Sequence, residues 1–231
     1  MTWRRALRAM LLPLGLAGCS VLPVRGSQWE ALTVWESSAR VECVRIGDAD
    51  PASAGLEVVG VDADGRVIVV TFPDARARGG YEHGARLSGV LVADVDPAVP
   101  GAEIYVGGDE PGAPDAGAVV QVALGIDGVA RARRVFRGRG FVHALGAVPP
   151  ARGGGPARLL VTDYAAELHL VTPPSGRPSA ANDGDRWSAE LLHREPPTTI
   201  EEGNEIKDVV VGRIGGAVRA FVAVKSGRGL L

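Results

Sequence analysis

The chain has 231 residues, with 25 lysines and arginines against 27 aspartates and glutamates, so its formal net charge at pH 7 is −2. This mild negative charge argues against a general nucleic-acid binder, which needs a basic surface to contact phosphates. The 32 glycines and 16 prolines leave little room for long helices and favour short strands joined by turns.

The beginning of the chain has the character of a targeting signal. Three arginines, with no acidic residue among them, precede a short apolar run that ends in Leu-Ala-Gly-Cys at residues 16–19. The run is too short to span a bilayer as a helix. This order resembles a bacterial lipoprotein signal peptide, and the resemblance implies cleavage before Cys19 and a diacylglycerol group on its thiol. An ordinary secretory peptide with a chance cysteine is the alternative.

The signal divides the chain into three parts. Residues 1–18 are predicted to be the lipoprotein signal peptide, residues 19–28 an anchor linker, and residues 29–231 the folded domain. The resemblance implies a protein held in the cell envelope by its N-terminal lipid. Because Ser20 rather than an aspartate follows the cysteine, it implies the outer membrane where a cell has two.

An acidic loop occurs twice in the first half of the folded domain. It reads DADPASAGLE at residues 48–57 and DVDPAVPGAE at residues 94–103, which share the pattern D-x-D-P-x-x-x-G-x-E. Each copy leads directly into an apolar segment that is typical of a buried strand. A pattern that returns at such a distance indicates an internal structural repeat.

The apolar segments extend the repeat over the whole domain. Each is followed by a turn and a second apolar run, each is preceded by another strand candidate, and a fourth set of candidates fills the gaps. Four short strands per unit of about 50 residues predict an all-β fold, a β-propeller of about four blades with four antiparallel strands each. The segments on which the four units are aligned are residues 56–62, 102–108, 157–163 and 207–213.

The order of the strand types predicts how such a propeller closes. Residues 29–37 are of the fourth type and residues 217–224 of the third, so pairing them would complete the last blade and cover its edge. The alternative is a truncated larger propeller, because the chain stops where another strand could begin.

The loops also carry a family resemblance. The spacing of aspartates, glycine and glutamate before a valine-rich strand resembles the FG-GAP or VCBS repeats, which are related to the integrin alpha-chain propeller. The family loop usually has a third aspartate followed by glycine. Here residues 52–53 are Ala-Ser and residues 98–99 are Ala-Val, so the resemblance to the family's loop is incomplete.

The two loops are the candidate metal sites. The prolines turn the chain, so the carboxylates of one loop could meet, and calcium takes roughly six to eight oxygen ligands. The alternative is a plain turn between strands, in which the aspartates accept backbone N–H groups. The predicted calcium ligands are Asp48, Asp50 and Glu57 in the first loop and Asp94, Asp96 and Glu103 in the second.

No catalytic residue and no organic cofactor are predicted. The four histidines have no metal-ligand spacing and are interpreted as packed or surface strand residues. The basic run at residues 131–139 is interpreted as a charged edge strand, with a docking patch as its alternative.

The sequence favours a binding or scaffold module for an unknown protein or glycan partner. The alternative is an envelope enzyme, a propeller lyase or hydrolase with its site at the central channel.

Overall fold

The structure is a computed structural model and describes residues 33–71, 74–151, 154–174, 187–195 and 205–225. The predicted signal peptide, the linker and Cys19 lie outside these residues. The chain divides into two units, residues 1–33 and 34–231, and every described strand belongs to the second.

The described residues form fourteen strands and no helix, in four antiparallel sheets. The prediction of an all-β fold is confirmed. The first sheet contains β1 (Val41–Gly47), β2 (Glu57–Asp62), β3 (Arg66–Thr71) and β4 (Ala77–Glu82). The second contains β5 (Leu87–Ala93), β6 (Glu103–Glu110), β7 (Ala113–Leu124) and β8 (Ala130–Gly138). The third contains β9 (Val142–Val148), β10 (Arg158–Asp163), β11 (Glu167–Thr172) and β12 (Ser188–Arg194), and the fourth contains β13 (Glu205–Ile214) and β14 (Ala217–Lys225).

Within each sheet the strands follow one another in chain order. The second strands of the first three sheets, β2, β6 and β10, are mostly buried. A strand covered on both faces reads as a continuous apolar run rather than as an alternation, which is why these segments stand out in the sequence.

The sheets pack on one another in series through their first strands. Strand β5 contacts β1 and β2 of the preceding sheet, and β9 contacts β5 and β6 in the same way. The approach is close: a Cβ atom at Gly47 of β1 would lie 2.6 Å from Cγ1 of Val92 in β5. Apolar side chains from neighbouring sheets, mostly aliphatic, fill these interfaces and form three buried clusters.

The contacts of β13 correct the assignment of the fourth repeat. Residues 207–213 are predicted to be a second strand, equivalent to β2 and β6. In the structure β13 contacts β9 and β10, as β9 contacts β5 and β6, so it takes the position of a first strand. The prediction is wrong because a Val-Val-Val run suits any inner strand, and only its packing partners distinguish the two positions.

The predicted strand at residues 29–37 is also corrected. Its described part, residues 33–37, is not a strand, and residues 29–32 lie outside the described part of the chain. Ser37 Oγ donates a hydrogen bond to Asp62 Oδ2 at 2.7 Å. The ring of Trp35 covers Gly60, where a Cβ atom would lie 2.7 Å from Cζ3. These side-chain contacts hold the segment against the first sheet, and β14 pairs only with β13 among the described strands.

Candidate functional site

The first acidic loop joins β1 to β2 and is held by its own carboxylates. Glu57, the first residue of β2, is fully buried, and its Oε2 accepts the N–H groups of Ala49 at 2.8 Å and Asp50 at 3.1 Å. Asp50 Oδ1 accepts the N–H of Ala52 at 2.9 Å, and the Asp50 carbonyl accepts the N–H of Ser53 at 3.0 Å. The loop is therefore a proline turn whose aspartate caps its own backbone.

The second acidic loop, between β5 and β6, repeats this pattern atom by atom. Glu103 Oε2 accepts the N–H groups of Val95 at 3.1 Å and Asp96 at 3.4 Å. Asp96 Oδ1 accepts the N–H of Ala98 at 2.9 Å, and the Asp96 carbonyl accepts the N–H of Val99 at 3.0 Å. The repeated sequence thus encodes a repeated turn.

In both loops the second aspartate is paired with an arginine from the fourth strand of the same sheet. Arg78 of β4 donates through Nε to Asp50 Oδ2 at 2.6 Å, and Arg133 of β8 donates through Nη2 to Asp96 Oδ2. Asp50 and Asp96 are almost completely buried. A buried carboxylate needs a partner because its desolvation is costly, and a guanidinium group supplies that partner here.

This geometry favours the plain turn over the predicted calcium sites. Calcium needs several oxygens directed at one point. In Asp50 and Asp96, however, Oδ1 accepts a backbone N–H group and Oδ2 pairs with a guanidinium group. Asp48 and Asp94, the first aspartates of the loops, are exposed at the surface. Of the six predicted ligands, Asp50 and Asp96 have both carboxylate oxygens engaged by the protein. Glu57 and Glu103 each use Oε2 for the loop N–H groups, and their Oε1 atoms are buried with no hydrogen-bond partner among the described residues.

Glu103 has the most perturbed acidity in these loops. Burial raises the pKa of Glu103 to about 7, and the nearby charge of Asp94 adds to the rise. The hydroxyl of Tyr105, which donates to Oε2 at 2.8 Å, acts in the opposite direction. The other carboxylate oxygen of Glu103, Oε1, is buried with no hydrogen-bond partner in the described part of the protein. The charged form of Glu103 is therefore costly.

A cluster that the sequence did not reveal lies at the opposite ends of the strands, in the third sheet. Asp163 ends β10, Glu167 begins β11, and His169 lies two residues further on. His169 Nε2 is 2.9 Å from Glu167 Oε2 and 3.9 Å from Asp163 Oδ2. Asp163 and Glu167 are buried, and Glu167 Oε1 also accepts a hydrogen bond from Arg194 of β12.

Sequence reasoning missed this cluster because it treated the histidines by their spacing alone. The signal that could have found it is the alignment of hairpins. Residues 62–66 and 163–167 occupy the same turn in the first and third sheets, each beginning with an aspartate. The fifth residue of the turn is Arg66 in one and Glu167 in the other, a reversal of charge beside a buried carboxylate.

An open cleft of about 700 Å³ lies between the two acidic loops. Its walls are mostly aliphatic, and Ile126, in the turn between β7 and β8, is 82% exposed. Asp127 and Arg131 provide the charged part of the lining. The lining residues are Pro51, Val99, Pro100, Ala123, Leu124, Gly125, Ile126, Asp127 and Arg131.

The basic run at residues 131–139 is an edge strand with internal partners. Arg133 binds Asp96, and both Arg134 and Arg137 bind Glu110 of β6. Its arginines therefore contribute to the sheet, as its interpretation as a charged edge strand implies.

No helix among the described residues is both long and apolar enough to cross a bilayer. Comparison with protein-family models and with curated proteins finds no match for this chain.

Proposed function

We propose that this protein is a binding module of the bacterial cell envelope, tethered by a lipid on Cys19 and carrying a β-propeller that presents the loop cleft to a partner protein. The Arg-rich leader and the Leu-Ala-Gly-Cys sequence support the anchor. The meander order of the sheets and their packing through first strands support propeller blades.

The observation that carries the binding proposal is the cleft between the acidic loops. Buried carboxylates hold the backbone of both loops, so the lining residues Pro51 and Pro100 keep fixed positions in the cleft wall. Ile126, which lines the cleft, is 82% exposed, and Val129 in the same β7–β8 turn is 56% exposed. A contiguous apolar surface with a charged rim is typical of a protein-interaction site.

The chemistry of the cleft favours a protein partner over a glycan. Proline, valine, leucine and isoleucine side chains can enclose an apolar side chain of a partner, as the pockets of interface hot spots do. A glycan would bring hydroxyl groups that need hydrogen-bond partners, and an aliphatic wall supplies none. We therefore expect an apolar residue of a partner protein to occupy the cleft, with its flanking backbone near Asp127 and Arg131.

The test is a co-purification of the full chain from membranes, with the captured proteins identified by mass spectrometry. Ile126→Ser removes apolar surface from the cleft, and Leu192→Ser removes a half-exposed leucine from β12 in another sheet as the matched control. We expect a partner that the wild type and Leu192→Ser retain and Ile126→Ser loses. Equal capture by all three proteins would rule out the cleft as the binding site.

A further inference from the structure

We propose that Asp163, Glu167 and His169 bind a divalent transition-metal ion, with zinc the best match to their ligand atoms. One oxygen or nitrogen from each of the three side chains lies within 4.8 Å of the others. The proposal is independent of the loop cleft, which lies between the first and second sheets.

The first argument is an unpartnered buried oxygen. Asp163 is fully buried and its Oδ1 accepts the N–H of Glu167 at 3.1 Å, but its Oδ2 has no hydrogen-bond partner among the described residues. This oxygen faces His169 Nε2 at 3.9 Å, too far for a hydrogen bond. Burial also raises the pKa of Asp163. A carboxylate in this position requires a cation or a proton.

The second argument is an internal comparison with the first sheet. Asp62 occupies the position of Asp163, and its Oδ1 accepts the N–H of Arg66 at 3.0 Å in the same turn. Its Oδ2, the equivalent of the orphaned oxygen, accepts hydrogen bonds from Arg66 Nε at 2.9 Å and Ser37 Oγ at 2.7 Å. The first sheet therefore supplies its cation from within the chain. In the third sheet that arginine is Glu167, so the cation is replaced by a second acid.

The charge of the cluster points the same way. With His169 neutral, the two carboxylates carry two negative charges and Arg194 compensates one of them. The second sheet has Gly108 at the equivalent position, so no acid there needs a partner. Among the three equivalent hairpin turns in the described part of the chain, the one in the third sheet combines a buried aspartate with an uncompensated negative charge.

The ligand types and spacings suit zinc. A neutral imidazole nitrogen and two carboxylate oxygens are all zinc ligands, and a tetrahedral site with bonds of about 2.0 Å separates its ligand atoms by about 3.3 Å. The observed separations of 2.9 Å and 3.9 Å bracket that value. Arg194 on the outer oxygen of Glu167 would fix the carboxylate, and the ring of Phe136, 5.0 Å from that of His169, closes one side.

The competing occupant is a proton on His169, which would pair with both carboxylates without any metal. The experiment strips the purified full chain of metal, adds zinc, and measures bound zinc per chain and the affinity by calorimetry. Two variants remove ligands: His169→Ala, and Asp163→Asn, which keeps the oxygen that accepts the N–H of Glu167. His193→Ala is the matched control, because His193 also lies 2.9 Å from a glutamate, Glu195, but at the surface.

We expect one zinc per wild-type chain, a fall in affinity of at least about 100-fold in His169→Ala and in Asp163→Asn, and no change in His193→Ala. Glu167→Arg, which copies Arg66 of the first sheet, is expected to abolish zinc binding while unfolding stays cooperative. The proposal is overturned if the wild type takes up no zinc, which leaves the proton as the occupant. It is also overturned if His169→Ala binds zinc as the wild type does.

Discussion

At the scale of single residues, buried carboxylates and their partners determine the local chemistry. Asp50, Asp96 and Asp163 are all almost inaccessible to solvent. The first two are neutralised by arginines of the same sheet, and Asp163 has an oxygen without a partner. The same kind of residue is therefore structural at two places and a candidate ligand at the third, and the difference lies in the neighbouring charge.

The pairing of Asp50 with Arg78 gives a prediction for stability. Arg78→Met keeps most of the side-chain volume but leaves a buried carboxylate without its cation. Because Arg78 is 35% exposed and water can partly solvate the site, we expect a loss of about 1–3 kcal/mol in the free energy of unfolding. Urea denaturation measures it. The control is Arg76→Met, whose pair with Asp74 is exposed and should cost under about 0.5 kcal/mol. Equal effects of the two changes would contradict the structural role of Arg78.

Glu103 gives a prediction for pH. Its pKa in the folded state is raised to about 7, above that of the unfolded chain, so the folded state holds this proton more tightly. Stability is then highest below the unfolded pKa and falls as pH rises, up to the folded pKa. We expect a decrease of up to about 3 kcal/mol between pH 5 and pH 8 from this group.

The control for this prediction is Glu103→Gln, which keeps the oxygen that accepts the loop N–H groups but does not titrate. Denaturant unfolding at several pH values should show that the free energy of unfolding falls less steeply with pH in this variant than in the wild type. If stability changes with pH to the same extent in both proteins, Glu103 does not contribute to the pH dependence and the prediction is wrong.

At the scale of elements, two equivalent turns show how a side chain at a positive-φ position affects stability. Gly65 and Ala166 occupy the same position in the β2–β3 and β10–β11 turns, with φ of +84° and +57°. Ala166→Gly relieves an unfavourable conformation but frees the unfolded chain, so we expect a gain of up to about 1 kcal/mol. Gly65→Ala would place a Cβ atom 2.2 Å from the carbonyl oxygen of Ala85, and we expect a loss above about 2 kcal/mol. Thermal unfolding measures both variants. If both substitutions raise the Tm, or both lower it, the two turns are not equivalent.

The elements also show what a sequence can and cannot predict. The strands of the first three sheets and the Asp-Pro turns are local: valine-rich runs, proline and glycine specify them within about ten residues. The partner of Asp50 is Arg78, on a strand two hairpins away, and no local pattern connects them. The position of β13 depends on its contacts with β9 and β10, and residues 33–37 leave the strand pattern because Trp35 and Ser37 bind the first sheet.

At the scale of the whole molecule, one interface is used three times, between β1 and β5, β5 and β9, and β9 and β13. The acidic loops precede the second strands of the first two sheets. Because both loops are held by buried hydrogen bonds, they form a fixed wall of the cleft that lies between them. The third sheet has Pro149 and Pro150 where such a loop would lie, and its distinctive chemistry, the Asp163 cluster, is at the other end of its strands.

The proposed anchor is tested on the whole protein. We expect Cys19 to be the mature N-terminus with a diacylglycerol thioether, because the leader has the order of a lipoprotein signal. Mass spectrometry of the membrane-extracted protein should find a lipid-bearing N-terminal peptide that begins at this residue. An unmodified peptide that spans residues 18–19 as the main species would contradict the anchor.

The central claim is that the repeated acidic loops are turns held by backbone N–H groups and arginines, and that they support the cleft without a metal. The most direct measurement is thermal unfolding of metal-stripped full chain with and without 10 mM calcium. The Glu167→Arg background is used, because it removes one carboxylate from the third-sheet cluster and supplies a cation to the other. Extracellular calcium sites bind at roughly 10⁻⁴–10⁻³ M, so two such sites would add about 3–5 kcal/mol of stability at this concentration. We predict an unchanged Tm. A rise in Tm that Asp50→Asn and Asp96→Asn abolish would contradict the account and establish the loops as calcium sites.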